Sequence, residues 1–98
     1  GDISVFAVSV SSMKQNQVKI GTGKKITVRG VVRDVQATPV EGVRIYSMGN
    51  ETELAVTNKK GEYLLKQVAS DDILIFSKKG YVSKEILVEG RSVLNVRL

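Results

Sequence analysis

The chain has no cysteine, no histidine and no tryptophan, and a single proline. Each absence closes a class of function. Without cysteine there is neither a disulfide framework nor a thiolate metal site, a state also compatible with a secreted bacterial domain that folds on its core alone. Without histidine there is no Ser-His-Asp triad, no imidazole-ligated metal and no ordinary neutral-pH general base, so the chain is expected not to be an enzyme and to carry no cofactor or metal. No apolar run reaches the roughly 18 residues of a membrane-crossing helix, so no direct membrane insertion is expected. The first residues do not follow the basic-then-apolar pattern of a signal peptide, and Gly1 in the place of an initiating methionine is what a processed or excised piece would show.

What is present suits one small domain. A chain of 98 residues buries roughly 60 to 70 per cent of its unfolded surface, enough for one modest core. Its net charge of +5 raises nucleic-acid binding, but the excess is uneven. Lys14, Lys19, Lys24 and Lys25 against Asp2 leave +3 in residues 1–25, whereas the other 73 residues hold eleven basic and nine acidic side chains. Phe6, Tyr46, Tyr63, Phe76 and Tyr81 are scattered and make no base-stacking platform, so no nucleic-acid partner is expected.

Alternation of apolar and polar residues runs through the chain, with turn signals at short intervals. The clearest instance spans residues 54–65, where Asn58 and Gly61 supply turn chemistry between Leu54 and Val56 on one side and Tyr63 and Leu65 on the other; the pattern predicts a β-hairpin with all four facing one core. Residues 2–10 form a possible extra edge strand or part of a linker. The Gly21-Thr22-Gly23-Lys24 fragment lacks the spacing of a phosphate loop and reads as a turn. From Ile26 to Arg33 a strand buries Ile26, Val28 and Val32; Gly30 interrupts that face, the mark of a close approach by a neighbouring strand or ring. Pro39 fixes the backbone before a strand over 42–48 with Val43, Ile45 and Ser47 on one face.

The pattern then places a turn at Gly49-Asn50-Glu51; Asn50-Glu51-Thr52 also spells a short glycosylation signal, which turn chemistry already explains. Residues 68–72 read as a loop, and the apolar run Ile73-Leu74-Ile75-Phe76 as a strand with Leu74 and Phe76 inside. A strand over 81–88 with Ile86 and Val88 inward follows, and Leu94, Val96 and Leu98 close the sheet. The fold class is therefore all-β, an antiparallel β-sandwich of about seven strands. Asp34 with Glu41 and Asp71 with Asp72 are the nearest approach to carboxylate pairs, and solvated turn residues are their simplest reading. Ser77 before Lys78-Lys79 reads as a strand-end hydroxyl.

Five segments in order carry a resemblance: Ile26-Thr-Val-Arg-Gly30-Val-Val-Arg-Asp34; Pro39-Val40-Glu41-Gly42-Val43; Thr57-Asn58-Lys-Lys-Gly61-Glu-Tyr63-Leu-Leu65; Leu74-Ile-Phe76-Ser77-Lys-Lys-Gly80-Tyr81; and Val88-Glu-Gly90-Arg91-Ser92-Val-Leu-Asn95-Val96-Arg-Leu98. Together they resemble the carboxypeptidase-regulatory-like (transthyretin-like) domain, as found at the N-terminus of SusC/RagA-type TonB-dependent outer-membrane receptors. The resemblance covers residues 26–98 and leaves residues 1–25 as a leader. It departs from the family pattern at Ala37, where glycine is usual, and at Asn58, where aspartate is usual; both substitutions put the construction of those turns in question.

The resemblance implies a structural motif of Gly30, Asp34, Pro39, Gly42, Asn58, Gly61, Tyr63, Phe76, Gly80 and Tyr81, with Phe76 and Tyr81 packing the core and no catalytic, cofactor or metal residues. It further implies a non-catalytic accessory interaction module of a SusC-like nutrient receptor, on the periplasmic side of the bacterial outer membrane. Its partners would be periplasmic proteins or the rest of its own receptor chain. The alternative is a structural or interaction sandwich in another secreted or surface protein, such as an enzyme's accessory domain.

Overall fold

In the computed structural model, described over residues 23–98, seven strands form two sheets. They are β1 (Lys25–Arg33), β2 (Arg44–Ser47), β3 (Thr52–Val56), β4 (Glu62–Ala69), β5 (Ile73–Ser77), β6 (Lys84–Leu87) and β7 (Val96–Arg97). A three-stranded sheet has the order β4-β1-β7 and a four-stranded sheet the order β3-β2-β5-β6. No helix occurs among the described residues, and the chain is an all-β sandwich. Residues 2–10, read above as a possible edge strand or part of a linker, lie outside the described residues.

Alternation decides what lies between the sheets. Val28, Val32, Tyr63, Leu65, Leu94 and Val96 point inward from one sheet and Ile45, Leu74 and Phe76 from the other, all nearly or wholly withdrawn from solvent. Tyr63 and Phe76 meet edge to face across the gap, with ring centroids 5.5 Å apart. Full burial of a ring such as that of Phe76 is worth about 2–3 kcal/mol, the largest single class of contribution available to so small a core.

Several expectations from the sequence are corrected. The segment 54–65 is not a hairpin: β3 pairs with β2 in one sheet and β4 with β1 in the other, so residues 57–61 carry the chain across the sandwich. Val56 is 47% exposed rather than inward. The cause is a one-residue irregularity in β3, where the pairing steps from Ile45↔Ala55 to Tyr46↔Glu53 and skips Leu54; the skipped residue reverses the parity of everything after it. A similar irregularity in β4 leaves Lys66 and Gln67 outside the ladder, with Gln67 at φ +61°. It lets Leu65 and Val68 both face the core, so the strand continues to Ala69, where a loop was expected.

One pair is not antiparallel. β7 lies parallel to β1 through Val32↔Val96 and Arg33↔Arg97, which is possible because the chain reaches β7 from the opposite sheet rather than through a tight reversal. Tyr81, expected to pack in the core, is 39% exposed and stands outside the core cluster, ahead of β6, which begins at Lys84.

Candidate functional site

The motif residues gather mainly around β1, where two turns of one construction lie side by side. In the first, Asp34 Oδ1 accepts hydrogen bonds from the backbone N–H groups of Gln36 (2.8 Å) and Thr38 (3.0 Å), and the N–H of Ala37 donates to the Asp34 carbonyl (2.9 Å). In the second, Asn58 Oδ1 accepts from Lys60 (2.9 Å) and Glu62 (2.9 Å), and the N–H of Gly61 donates to the Asn58 carbonyl (2.8 Å). Each is closed by the backbone, Asp34 N–H to the Thr38 carbonyl at 2.8 Å and Asn58 N–H to the Glu62 carbonyl at 3.1 Å. The fourth residue of each is left-handed, Ala37 at φ +70° and Gly61 at φ +72°. Aspartate and asparagine do the same work here because both offer a short side-chain oxygen to amides two and four residues on.

Gly61 also has a packing role. A Cβ there would lie 2.5 Å from the Val32 carbonyl oxygen, 3.1 Å from the Val40 nitrogen and 3.2 Å from Pro39 Cβ. The Val32 N–H donates to the Gly61 carbonyl and the Val40 N–H to the Val32 carbonyl, so the second turn is laced to the end of β1 and to the segment leaving the first turn. Pro39 itself bridges back to Arg33. Thr57, which the sequence reading passed over, is buried at the crossing: its Oγ1 accepts from the Val43 N–H (2.9 Å) and donates to the Val40 carbonyl (2.8 Å). A β-branched hydroxyl just ahead of a turn asparagine was the available signal.

Gly30 has the tightest surroundings. A Cβ there would fall 1.8 Å from the Leu94 carbonyl oxygen and 3.0 Å from the Tyr63 hydroxyl, so the expected close approach is by both a neighbouring strand and a ring. The Tyr63 hydroxyl donates to that carbonyl at 2.5 Å. Because the Leu94 carbonyl is turned to Tyr63, the Val31 N–H finds its partner in the Asn95 side chain instead, at 3.0 Å. Burial pushes the Tyr63 phenol well above its ordinary range, against a smaller opposing pull from the Arg91 charge.

Of the four acidic residues, Asp34, Glu41 and Asp71 lie in solvent-accessible turns and loops as expected, and Asp72 does not. The Asp34 carboxylate is committed to its own turn. Asp71 Oδ1 accepts from the Gly23 N–H at 2.7 Å. Asp72, read as solvated, is 2% exposed and accepts from Ser47 Oγ (2.5 Å), the Gly49 N–H (3.0 Å) and the Ile73 N–H (2.7 Å). Ser47 Oγ in turn accepts from the Asn50 N–H at 3.1 Å. The buried carboxylate thus ties the β2–β3 turn to the start of β5, and the three donors compensate its lost hydration. Among the described residues, no three acidic side chains gather closely enough to hold a metal ion.

A concavity of about 650 Å³ is lined by residues that include Arg29, Gly30, Val31, Val56, Tyr63, Leu64, Val93 and Asn95. Val56, Leu64 and Val93 are each about half exposed, so this is an apolar surface with a few polar groups at hand. The remaining motif glycines serve the backbone: Gly42 and Gly80 hold φ of +82° and +94°. Compared with protein-family models and with curated proteins, the sequence matches none.

Proposed function

We propose that residues 26–98 are a non-catalytic interaction module, the accessory domain of a SusC-like TonB-dependent outer-membrane nutrient receptor, placed on the periplasmic side of that membrane. The observation that carries this reading is the use made of the motif. Gly30, Pro39, Gly61 and Tyr63 pack or bridge against β1 and its neighbours, and Asp34 and Asn58 shape the two turns beside it, so all six, drawn from three separate segments, are spent on scaffold. A motif devoted to scaffold, in front of an apolar concavity bearing Val56, Leu64 and Val93, favours protein contact over chemistry on a small substrate. Its contacts would be with periplasmic proteins or with the rest of its own receptor chain. Reading the gene beyond the codon for Leu98 tests the proposal: a plug and a β-barrel are expected, and a catalytic or adhesive domain without them would overturn the receptor assignment.

A further inference from the structure

A second concavity, about 370 Å³, is lined by Gly42, Arg44, Tyr46, Ser77, Lys78 and Lys79. We propose that it binds a phosphate-class oxyanion. Arg44 of β2 and Ser77 of β5 are direct partners across the ladder, so the guanidinium and the hydroxyl leave the same face of the sheet, and Tyr46, two residues along β2, joins them. β5 runs directly into Lys78 and Lys79, and the turn that follows is closed by the Tyr81 N–H donating to the Lys78 carbonyl at 3.0 Å, with Gly80 left-handed. Opposite, Gly42 leaves room for an ammonium: a Cβ there would lie 2.9 Å from Lys78 Nζ.

Three positive charges therefore line one cleft. Arg44 has an exposed contact with Glu53 at 3.8 Å, and neither lysine forms an ion pair among the described residues. Like charges held together repel, and an anion between them removes that cost. With Arg44 in contact with Glu53, one further carboxylate would still leave one lysine uncompensated, whereas a phosphate or pyrophosphate group carries more charge and has oxygens for the planar guanidinium fork, the two ammonium groups and the Tyr46 and Ser77 hydroxyls. Ser77 beside its lysines is then a hydrogen-bond donor to the anion. The anion site is independent of the receptor assignment.

The test is an amide NMR titration of the 98-residue chain with inorganic pyrophosphate in low salt. Saturable shifts centred on Gly42, Arg44, Ser77, Lys78 and Lys79 are expected, with a Kd of about 1 mM or tighter. The double substitution Lys78→Gln/Lys79→Gln should weaken binding about tenfold, as one to two lost charge-assisted contacts imply, while Lys59→Gln/Lys60→Gln, which removes the same charge from another turn, should not. Shifts that never saturate, or equal losses in both double variants, would show an unlocalised charge effect and overturn the proposal. Vesicles bearing phosphatidic acid provide a second arm. Binding to them that pyrophosphate competes away identifies a lipid-borne phosphate, and pyrophosphate binding alone identifies a soluble phosphoester.

Discussion

The turns at 34–38 and 58–62 are built from the same hydrogen bonds, yet one has alanine and the other glycine at the left-handed fourth position. The difference teaches what a motif glycine is for. At Ala37, exposed to solvent, a methyl group meets only the conformational penalty of positive φ, about 1 kcal/mol. At Gly61 the same methyl would also have to share space with the Val32 carbonyl, the Val40 nitrogen and Pro39. Glycine is dispensable where only the angle demands it and required where the backbone of a neighbour occupies the Cβ position.

The strongest way to break this comparison is Gly61→Val. A β-branched side chain at φ +72° against a carbonyl oxygen 2.5 Å away is expected to cost about 3 kcal/mol or more, seen as a lowered urea midpoint. An unchanged melting temperature would show that Gly61 holds no glycine-only conformation.

Alkaline pH examines the other crowded glycine through its neighbour Tyr63. The folded state keeps the Tyr63 proton above the pH, near 10.0, at which the unfolded chain loses it. Above that pH the unfolded state binds fewer protons than the native state, so the stability is present below pH 10.0 and falls as pH rises past it, by at most about 1.4 kcal/mol per pH unit. Urea midpoints across that range should show a steeper fall for the wild type than for Tyr63→Phe; parallel curves would mean that the phenol is not held protonated by burial.

The turn side chains come next. Asp34→Ala and Asn58→Ala each remove two hydrogen bonds to backbone amides, and each is expected to cost about 1 kcal/mol. Similar losses in chemical denaturation would sharpen the equivalence of the two turns. A loss confined to Asn58 would mean that Asp34 is not needed to shape its turn.

Much of the fold is legible from periodicity, because a residue that must face the core recurs every second position. Val28, Val32, Ile45 and Val88 follow that rule and are buried, as are Leu74 and Phe76 of the continuous apolar run 73–76. The rule fails where a strand slips by one residue, as at Leu54 and at Lys66 and Gln67, since nothing in the side chains there marks the irregularity. It also cannot tell a turn within a sheet from a crossing between sheets, so the Asn58–Gly61 turn was recognised but its partners were not. Asp72 escaped because acidity argues for exposure, and only the fold supplies the Ser47, Gly49 and Ile73 donors that reverse the argument. Gly30 was legible as a close approach; that a carbonyl, a phenol and Asn95 converge on it depends on residues more than thirty positions away.

The reciprocal exchange of the two left-handed residues tests the comparison most directly. In urea denaturation Ala37→Gly should raise stability by about 0.5 kcal/mol, the relieved strain less the entropy of a freer unfolded chain, and Gly61→Ala should lower it by about 2 kcal/mol. Opposite signs are the predicted result. A loss of stability in Ala37→Gly, or no loss in Gly61→Ala, would contradict the claim that the two turns share one backbone and differ only in the room beside it.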